Sequence, residues 1–233
     1  MKPHLLPVEL SDLGPGELLV NETFHSIQVE SSFAGRPCFF IRLAGCHLRC
    51  NWCDTEYAFH AGQRLSVEEC VRQAAASGSE LVEVTGGEPL LQSAVYSLLT
   101  CLADRGHRVL LETSGAVPID AVDPRVHRIV DWKAPGSGES ERNQPRVLDA
   151  VKPGDELKVV VLDRGDYEWA RDWLRQTNRR RPTIGTSIPV YFSPVHGRLE
   201  NSDLAAWILD DHLPARFGVQ LHKYIWPEDS RGR

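Results

Sequence analysis

Short apolar runs alternate with helix-periodic segments along most of the chain, and this alternation limits the possible folds more than any other feature of the sequence. Thr23–Val29 and Pro37–Leu43 read as strands, rich in Phe, Ile and Val. Ser66-Val67-Glu68-Glu69 matches a capping box and predicts a helix to about Ala76. Leu81–Val84 is a short apolar strand, and Thr85-Gly86-Gly87-Glu88-Pro89 is a turn. Pro89 suits the first position of a helix ending near Arg105-Gly106. Val109–Leu111, Arg128–Trp132, Glu156–Leu162, Pro189–Phe192 and Val219–Tyr224 follow as strands, with helices over Asp166–Thr177 and Asn201–Asp211.

Strand and helix in turn mean parallel strands joined by crossovers. The expected fold is therefore α/β, a partial, open TIM-type barrel of about six mainly parallel strands with fewer helices than a full barrel. Ligand sites in such sheets lie beyond the carboxyl ends of the strands. Residues 1–18, interrupted by Pro3, Pro7, Gly14, Pro15 and Gly16, read as an N-terminal extension, and 19–233 as a single domain. The polar stretch Gly136–Gln144 reads as a mobile loop or lid, and Arg179-Arg180-Arg181 as a solvated helix end.

Composition narrows the class. Hydrophobic residues make up 42% and charged residues 25% of the 233, as in soluble globular proteins. The net charge of −6 argues against a nucleic-acid or anionic-membrane binder. No apolar run approaches the ~18 residues of a membrane span. Met1–Gly14 lacks the basic start and apolar core of a secretory signal, so a reducing cytoplasm is expected.

Three of the six cysteines, Cys46, Cys50 and Cys53, fall within eight residues. A disulfide framework would spread its cysteines, whereas clustered thiolates in a cytosolic chain bind metal. Zinc would need a fourth ligand, for which His47 and His60 are candidates. The other solution is a [4Fe–4S] cluster with one iron left open for a small molecule.

The Cys-x3-Cys-x2-Cys spacing just past an apolar strand resembles that of the radical S-adenosylmethionine (SAM) enzymes, as does the Gly-Gly turn one βα unit later. Asn21–Gln28, Phe33–Pro37, Phe40–Cys46, Cys53-Asp54-Thr55 and Gln220–Ile225 further resemble the 7-carboxy-7-deazaguanine synthases, over about residues 20 to 227. That resemblance implies conversion of 6-carboxy-5,6,7,8-tetrahydropterin to 7-carboxy-7-deazaguanine and ammonia, on the route to queuosine-type deazapurines. It implies a [4Fe–4S] cluster on Cys46, Cys50 and Cys53, with SAM chelating the open iron as a reusable cofactor. Reductive cleavage of the sulfonium then supplies a 5′-deoxyadenosyl radical. Mg²⁺ would sit on Thr55.

The resemblance places Ile27, Gln28, Val29, Arg42, Thr85 and Pro227 at the substrate. Arginine suits a carboxylated pterin through its bidentate fork, and the Gln28 amide can both donate and accept. Arg42 could instead pair internally with an acid such as Glu22. Trp52, Cys53, Asp54, Gly87, Asp131, Trp132, Lys133, Ser193, Pro194, Val195 and His196 are implied at SAM, and His222-Lys223 matches the terminal motif. Where the family usually has Gly-Glu-Gly, this chain has Val29-Glu30-Ser31. A flavodoxin- or ferredoxin-type electron donor and a homodimer are also implied. A small radical SAM activase acting on a partner protein is the alternative activity, and a zinc scaffold domain the alternative class.

Overall fold

The computed structural model describes residues 10–227 and Gly232. Most of the N-terminal extension, residues 1–9, lies outside the described residues. The first strand, β1 (Glu17–Ile27), starts two residues before the expected domain boundary. Leu18, within it, is fully buried. The chain continues through β2 (Pro37–Leu43), β3 (Gln63–Ser66), α1 (Val67–Ala76), β4 (Leu81–Gly86), α2 (Val95–Asp104), β5 (Arg108–Ser114) and β6 (His127–Asp131). It ends with α3 (Pro145–Ala150), β7 (Glu156–Val161), α4 (Arg164–Arg180), β8 (Val190–Pro194), α5 (Asn201–Asp210), β9 (Arg216–Phe217) and α6 (His222–Ile225).

Among the described residues these strands form one open nine-stranded sheet in the order β3-β1-β2-β4-β5-β6-β7-β8-β9. The row from β2 to β9 is parallel, and β1 pairs antiparallel with both β2 and β3. The half-barrel is thus as expected, but with more than six strands. Polar β3 (Gln-Arg-Leu-Ser) and two-residue β9 are edge strands, which carry little apolar signal.

The helices form because their apolar positions recur on one side. In α1 these are Val67, Cys70, Val71 and Ala74, and the Ser66 hydroxyl caps the helix by accepting from Glu69 N at 3.1 Å. In α2 they are Val95, Leu98, Leu99 and Leu102. Pro89 opens only a 3₁₀ turn over Pro89–Leu91, capped by the Glu88 carboxylate, which accepts from Leu90 N; the chain is extended at Gln92, and α2 starts at Val95. Residues 219–221 are not a strand, and His222–Ile225 is a helical turn.

Strand parity gives the sheet two unlike faces. Ile41, Val82, Val84, Val109, Leu111, Val130, Leu157, Val159 and Phe192 bury one face against the helices in the main core. The opposite face is concave. Its lower part is apolar, with Cys38, Phe40, Leu81, Leu110 and Ile129 packed under Phe33. Its upper part carries Arg42, Thr85, Glu112, Asp131, Lys158 and Ser193 near the carboxyl ends of the strands.

Candidate active site

The cysteine loop leaves β2 at the carboxyl end of the sheet. Cys46, Cys50 and Cys53 share one apolar cluster with Leu48, Phe59 and Ala116. Arg49 braces the loop from below: its Nη1 donates to Cys46 O (2.9 Å) and Leu48 O (2.6 Å), and its guanidinium lies over the Phe59 ring. Gly136–Gln144 packs as a wall against the cysteine loop. Asn51 N donates to Ser137 O at 3.0 Å, and Arg49 N to a Glu139 carboxylate oxygen at 2.7 Å. Ser137 is fully buried, and the Asp166 carboxylate accepts from Gly136 N. Partners so distant in sequence cannot be seen from the polar composition of this stretch.

Burial pushes the Cys46 thiol up to about 12 and raises Cys50 and Cys53 too. Bare thiols here hold their protons, and a metal centre would displace them. Among the described residues no three Cys, His, Asp or Glu side chains gather closely enough to hold a single metal ion. A zinc site completed by His47 or His60 is therefore not formed. A cubane takes one thiolate per iron, so its cysteine sulfurs stand farther apart than the ligands of one ion.

The Gly-Gly turn packs directly on this loop. Gly87 N donates to Leu43 O at 3.1 Å and Glu88 N to Gly45 O at 2.8 Å. A Cβ at Gly87 would fall 2.2 Å from Gly45 O, so only glycine permits the approach. Glu88, 1% exposed, fastens the turn to β5 by accepting from Thr113 Oγ1, Ser114 N and Ser114 Oγ. Burial raises its pKa despite these donors.

Of Asp131-Trp132-Lys133, two members face the site. Lys133 Nζ pairs with Asp131 Oδ2 at 2.9 Å, while Asp131 Oδ1 is buried without a hydrogen-bond partner among the described residues. Burial alone would lower the Lys133 ammonium, but Asp131 and Cys50 hold it above its ordinary range. Trp132 does not belong with them. Strand alternation turns it into the main core, where it stacks on Trp173 at 5.6 Å.

Sequence reasoning missed the centre of the concave face. Lys158 Nζ reaches the carboxylates of Glu30, Glu112 (2.5 Å) and Asp131 (3.6 Å). Burial opposes its charge, yet Glu112, Glu30 and Asp131 hold its pKa well above the lysine value. Burial likewise opposes the charge on Glu30, and Lys158 holds it ionised below its usual range. Thr85 Oγ1 donates to Glu112 Oε2 at 3.2 Å. The available signal was one charged residue at an alternate position of an apolar strand, as in Leu-Val-Glu83-Val and Glu-Leu-Lys158-Val.

Arg42 both lines this face and pairs with Glu22, Nε to Oε1 at 2.8 Å. Gln28 is 2% exposed, and its amide turns inward to Glu83 and its own loop. Ile27 ends β1 opposite Pro37, and Val29 O accepts from Leu221 N. Thr55 precedes a 3₁₀ turn that its side chain does not cap. Its Oγ1 lies 3.7 Å from Cys53 Sγ.

Asp54 meets His222 Nε2 and Lys223 Nζ, each at 3.4 Å. Burial would raise its carboxyl, but these two hold it well below the usual range. Trp52 is half-buried in the cysteine loop, and Pro227 is exposed. Ser193 is buried at the end of β8, and Val195 N donates to Val161 O. Pro194 and His196 line a cavity of about 200 Å³ with Val219, Gln220 and Tyr224.

A model of the radical SAM superfamily matches residues 40–133, which span the cysteine loop, the Gly-Gly turn and Lys133. The 7-carboxy-7-deazaguanine synthase of Chlorobaculum tepidum is 48% identical over 218 residues, 92% of this chain and 97% of the relative. That of Koribacter versatilis is 42% identical over 229 residues, covering 91% and 99%. The chain belongs to the 7-carboxy-7-deazaguanine synthase family.

The crystal structure of QueE from Escherichia coli shares the fold, with a TM-score of 0.71 at 22% identity over 88% of this chain and 94% of that one. As a radical SAM family, the synthases use a [4Fe–4S] cluster and SAM. The residues present fit both groups. Three thiols share one cluster without converging on a single ion, and the orphaned Asp131 Oδ1 offers a buried acceptor beside them. Nothing in the relatives favours the activase alternative.

Proposed function

We propose that this chain converts 6-carboxy-5,6,7,8-tetrahydropterin to 7-carboxy-7-deazaguanine and ammonia, a step toward queuosine-type deazapurines. The carrying observation is that the cysteine loop, the Gly-Gly turn and Arg42 meet at one end of the concave face, in a chain alike over nearly its full length to synthases of that name. Cys46, Cys50 and Cys53 would hold the cluster, which with SAM supplies the hydrogen-abstracting radical. Asp131 Oδ1 suits a donor group of SAM. The SAM amine donates, so its contact at Gly87 would be the carbonyl oxygen, while the Gly87 N–H is engaged by Leu43 O.

Trp52, Cys53, Asp54, Lys133 and Ser193–His196 would border SAM from the cysteine loop, β6 and β8. Trp132 acts from behind, by fixing the strand. Arg42 engages Glu22 through Nε only, which leaves its Nη groups for the pterin carboxylate. Ile27, Val29, Thr85 and Pro227 would meet the substrate, with Gln28 supporting the loop. Thr55 would offer its hydroxyl to Mg²⁺, a hard cation that accepts such an oxygen beside a carboxylate and waters. A flavodoxin- or ferredoxin-type donor, a homodimer, a cytoplasmic setting and a single domain that begins with β1 complete the reading. No helix among the described residues is long and apolar enough to cross a membrane.

Reconstituted protein incubated anaerobically with SAM, Mg²⁺, reductant and the pterin tests this by mass spectrometry. Formation of 7-carboxy-7-deazaguanine is expected. Deoxyadenosine alone would mean a different substrate, and the absence of both products would overturn the assignment.

A further inference from the structure

Glu83 lies at the middle of β4 on the concave face, 2% exposed. Its partner is Gln28, whose Nε2 donates to Glu83 Oε2 at 3.2 Å. The other end of that amide serves the backbone: Gln28 Oε1 accepts from Glu30 N and Ser31 N, both at 3.2 Å. Gln28 N donates to Arg36 O and Gly35 N to Gln28 O, each at 2.9 Å, so the loop closes on itself at its stem. Its outer side carries Val29, whose carbonyl binds the C-terminal segment, and Glu30, which reaches Lys158 and Gln220. The Gln28 amide is thus the tie at the start of the loop, beside Ser32 to Glu156 and Glu30 to Lys158 farther along it, and Glu83 holds that amide.

We infer that Glu83, acting through Gln28, is the positioning residue for the loop that meets the pterin edge. The inference rests on the proposed function.

The groups facing Glu83 are Cys38 from β2, Glu112 from β5, Lys158 from β7 and Glu30 from the loop. Lys158 is already shared among three carboxylates. Burial, then the like charge of Glu112, push the Glu83 carboxyl up to about 8. Below that pH the carboxyl is held neutral; ionisation above it would set Glu83 against Glu112 and against Glu30 on the loop itself, with only the Gln28 N–H and Lys158 favouring the charged form. An amide can replace a neutral acid here, whereas a hydrocarbon leaves the Gln28 N–H orphaned.

The test compares wild type, Glu83→Gln and Glu83→Leu from about pH 6.5 to about pH 9.5. Wild-type KM for the pterin should rise above about pH 8, with kcat changing less, and Glu83→Gln should lack that rise. Glu83→Leu should raise KM about tenfold at neutral pH and speed amide hydrogen exchange across residues 28–36, with iron content unchanged. Wild type should show a protonated-carboxyl infrared band at neutral pH that Glu83→Gln lacks. The same alkaline rise in Glu83→Gln, an unchanged loop exchange rate in Glu83→Leu, or no such band in wild type would overturn the inference. Wild type without turnover of the pterin would overturn the proposed function instead, while exchange and infrared still decide the role of Glu83.

Discussion

Arg42 and Glu22 stand directly opposite each other on antiparallel neighbours, and a single bond from Nε to Oε1 at 2.8 Å joins them. Tyr57 Oη donates to the same carboxylate oxygen at 2.9 Å. Glu22 thereby aims the guanidinium without occupying its fork. Arg42→Ala should raise the pterin KM about a hundredfold while leaving the cluster absorbance intact, because it removes a charge-assisted pair to the substrate. Glu22→Ala should raise it only about tenfold, since the fork survives and only its aim is lost. Steady-state kinetics with visible spectra check both. Equal KM values in wild type and Arg42→Ala would place the carboxylate elsewhere.

Lys158→Met should be destabilised by about 2–3 kcal/mol in urea unfolding, because it leaves the half-buried Glu30 and Glu112 without their cation. Adding Glu112→Gln should recover part of that loss, by removing one of the stranded charges. A double mutant no more stable than Lys158→Met would show that the two residues are uncoupled.

The raised Glu83 pKa fixes the sign of a stability effect. Between its ordinary 4.5 and about 8 the unfolded chain has released a proton that the folded chain keeps. Wild-type stability therefore falls as pH rises through that window, by at most about 1.4 kcal/mol per pH unit from this group. Glu83→Gln lacks the term, so its stability relative to wild type should climb from about pH 5 to about pH 8 and then level off. Parallel urea midpoints across the window would contradict this.

Gly87→Ala tests the packing of the Gly-Gly turn on the cysteine loop. Its methyl would stand 2.2 Å from Gly45 O and 2.8 Å from Cys46 Cβ, so the loop must move. Reduced iron and sulfide content after reconstitution is expected, with the circular dichroism of the fold preserved. Full cluster loading would show that the loop tolerates the shift.

The parallel sheet was legible because β2, β4, β7 and β8 are short, strongly apolar runs that period and length identify. Edge strands β3 and β9 were not, since one is polar and the other two residues long. The site divides along the same line. The three cysteines and Gly87 announce themselves by spacing, as does Arg42 at the end of an apolar strand. Lys158, Glu83 and Glu112 sit singly among aliphatic residues, and only their side of the strand tells what they are. Asp131, Trp132 and Lys133 show the cost of neglecting that side: consecutive in sequence, they lie on opposite faces of the sheet.

The two-faced sheet also predicts where this gene tolerates length changes. Loss of one residue within β4 or β7 would send Glu83 or Lys158 among the aliphatic helices and bring valine toward the pterin. A library of single-codon deletions should therefore be depleted of survivors across the central strands and rich in them at exposed turns such as Gly78, Gly106 and Gly154, where the chain can be shortened without inverting a strand.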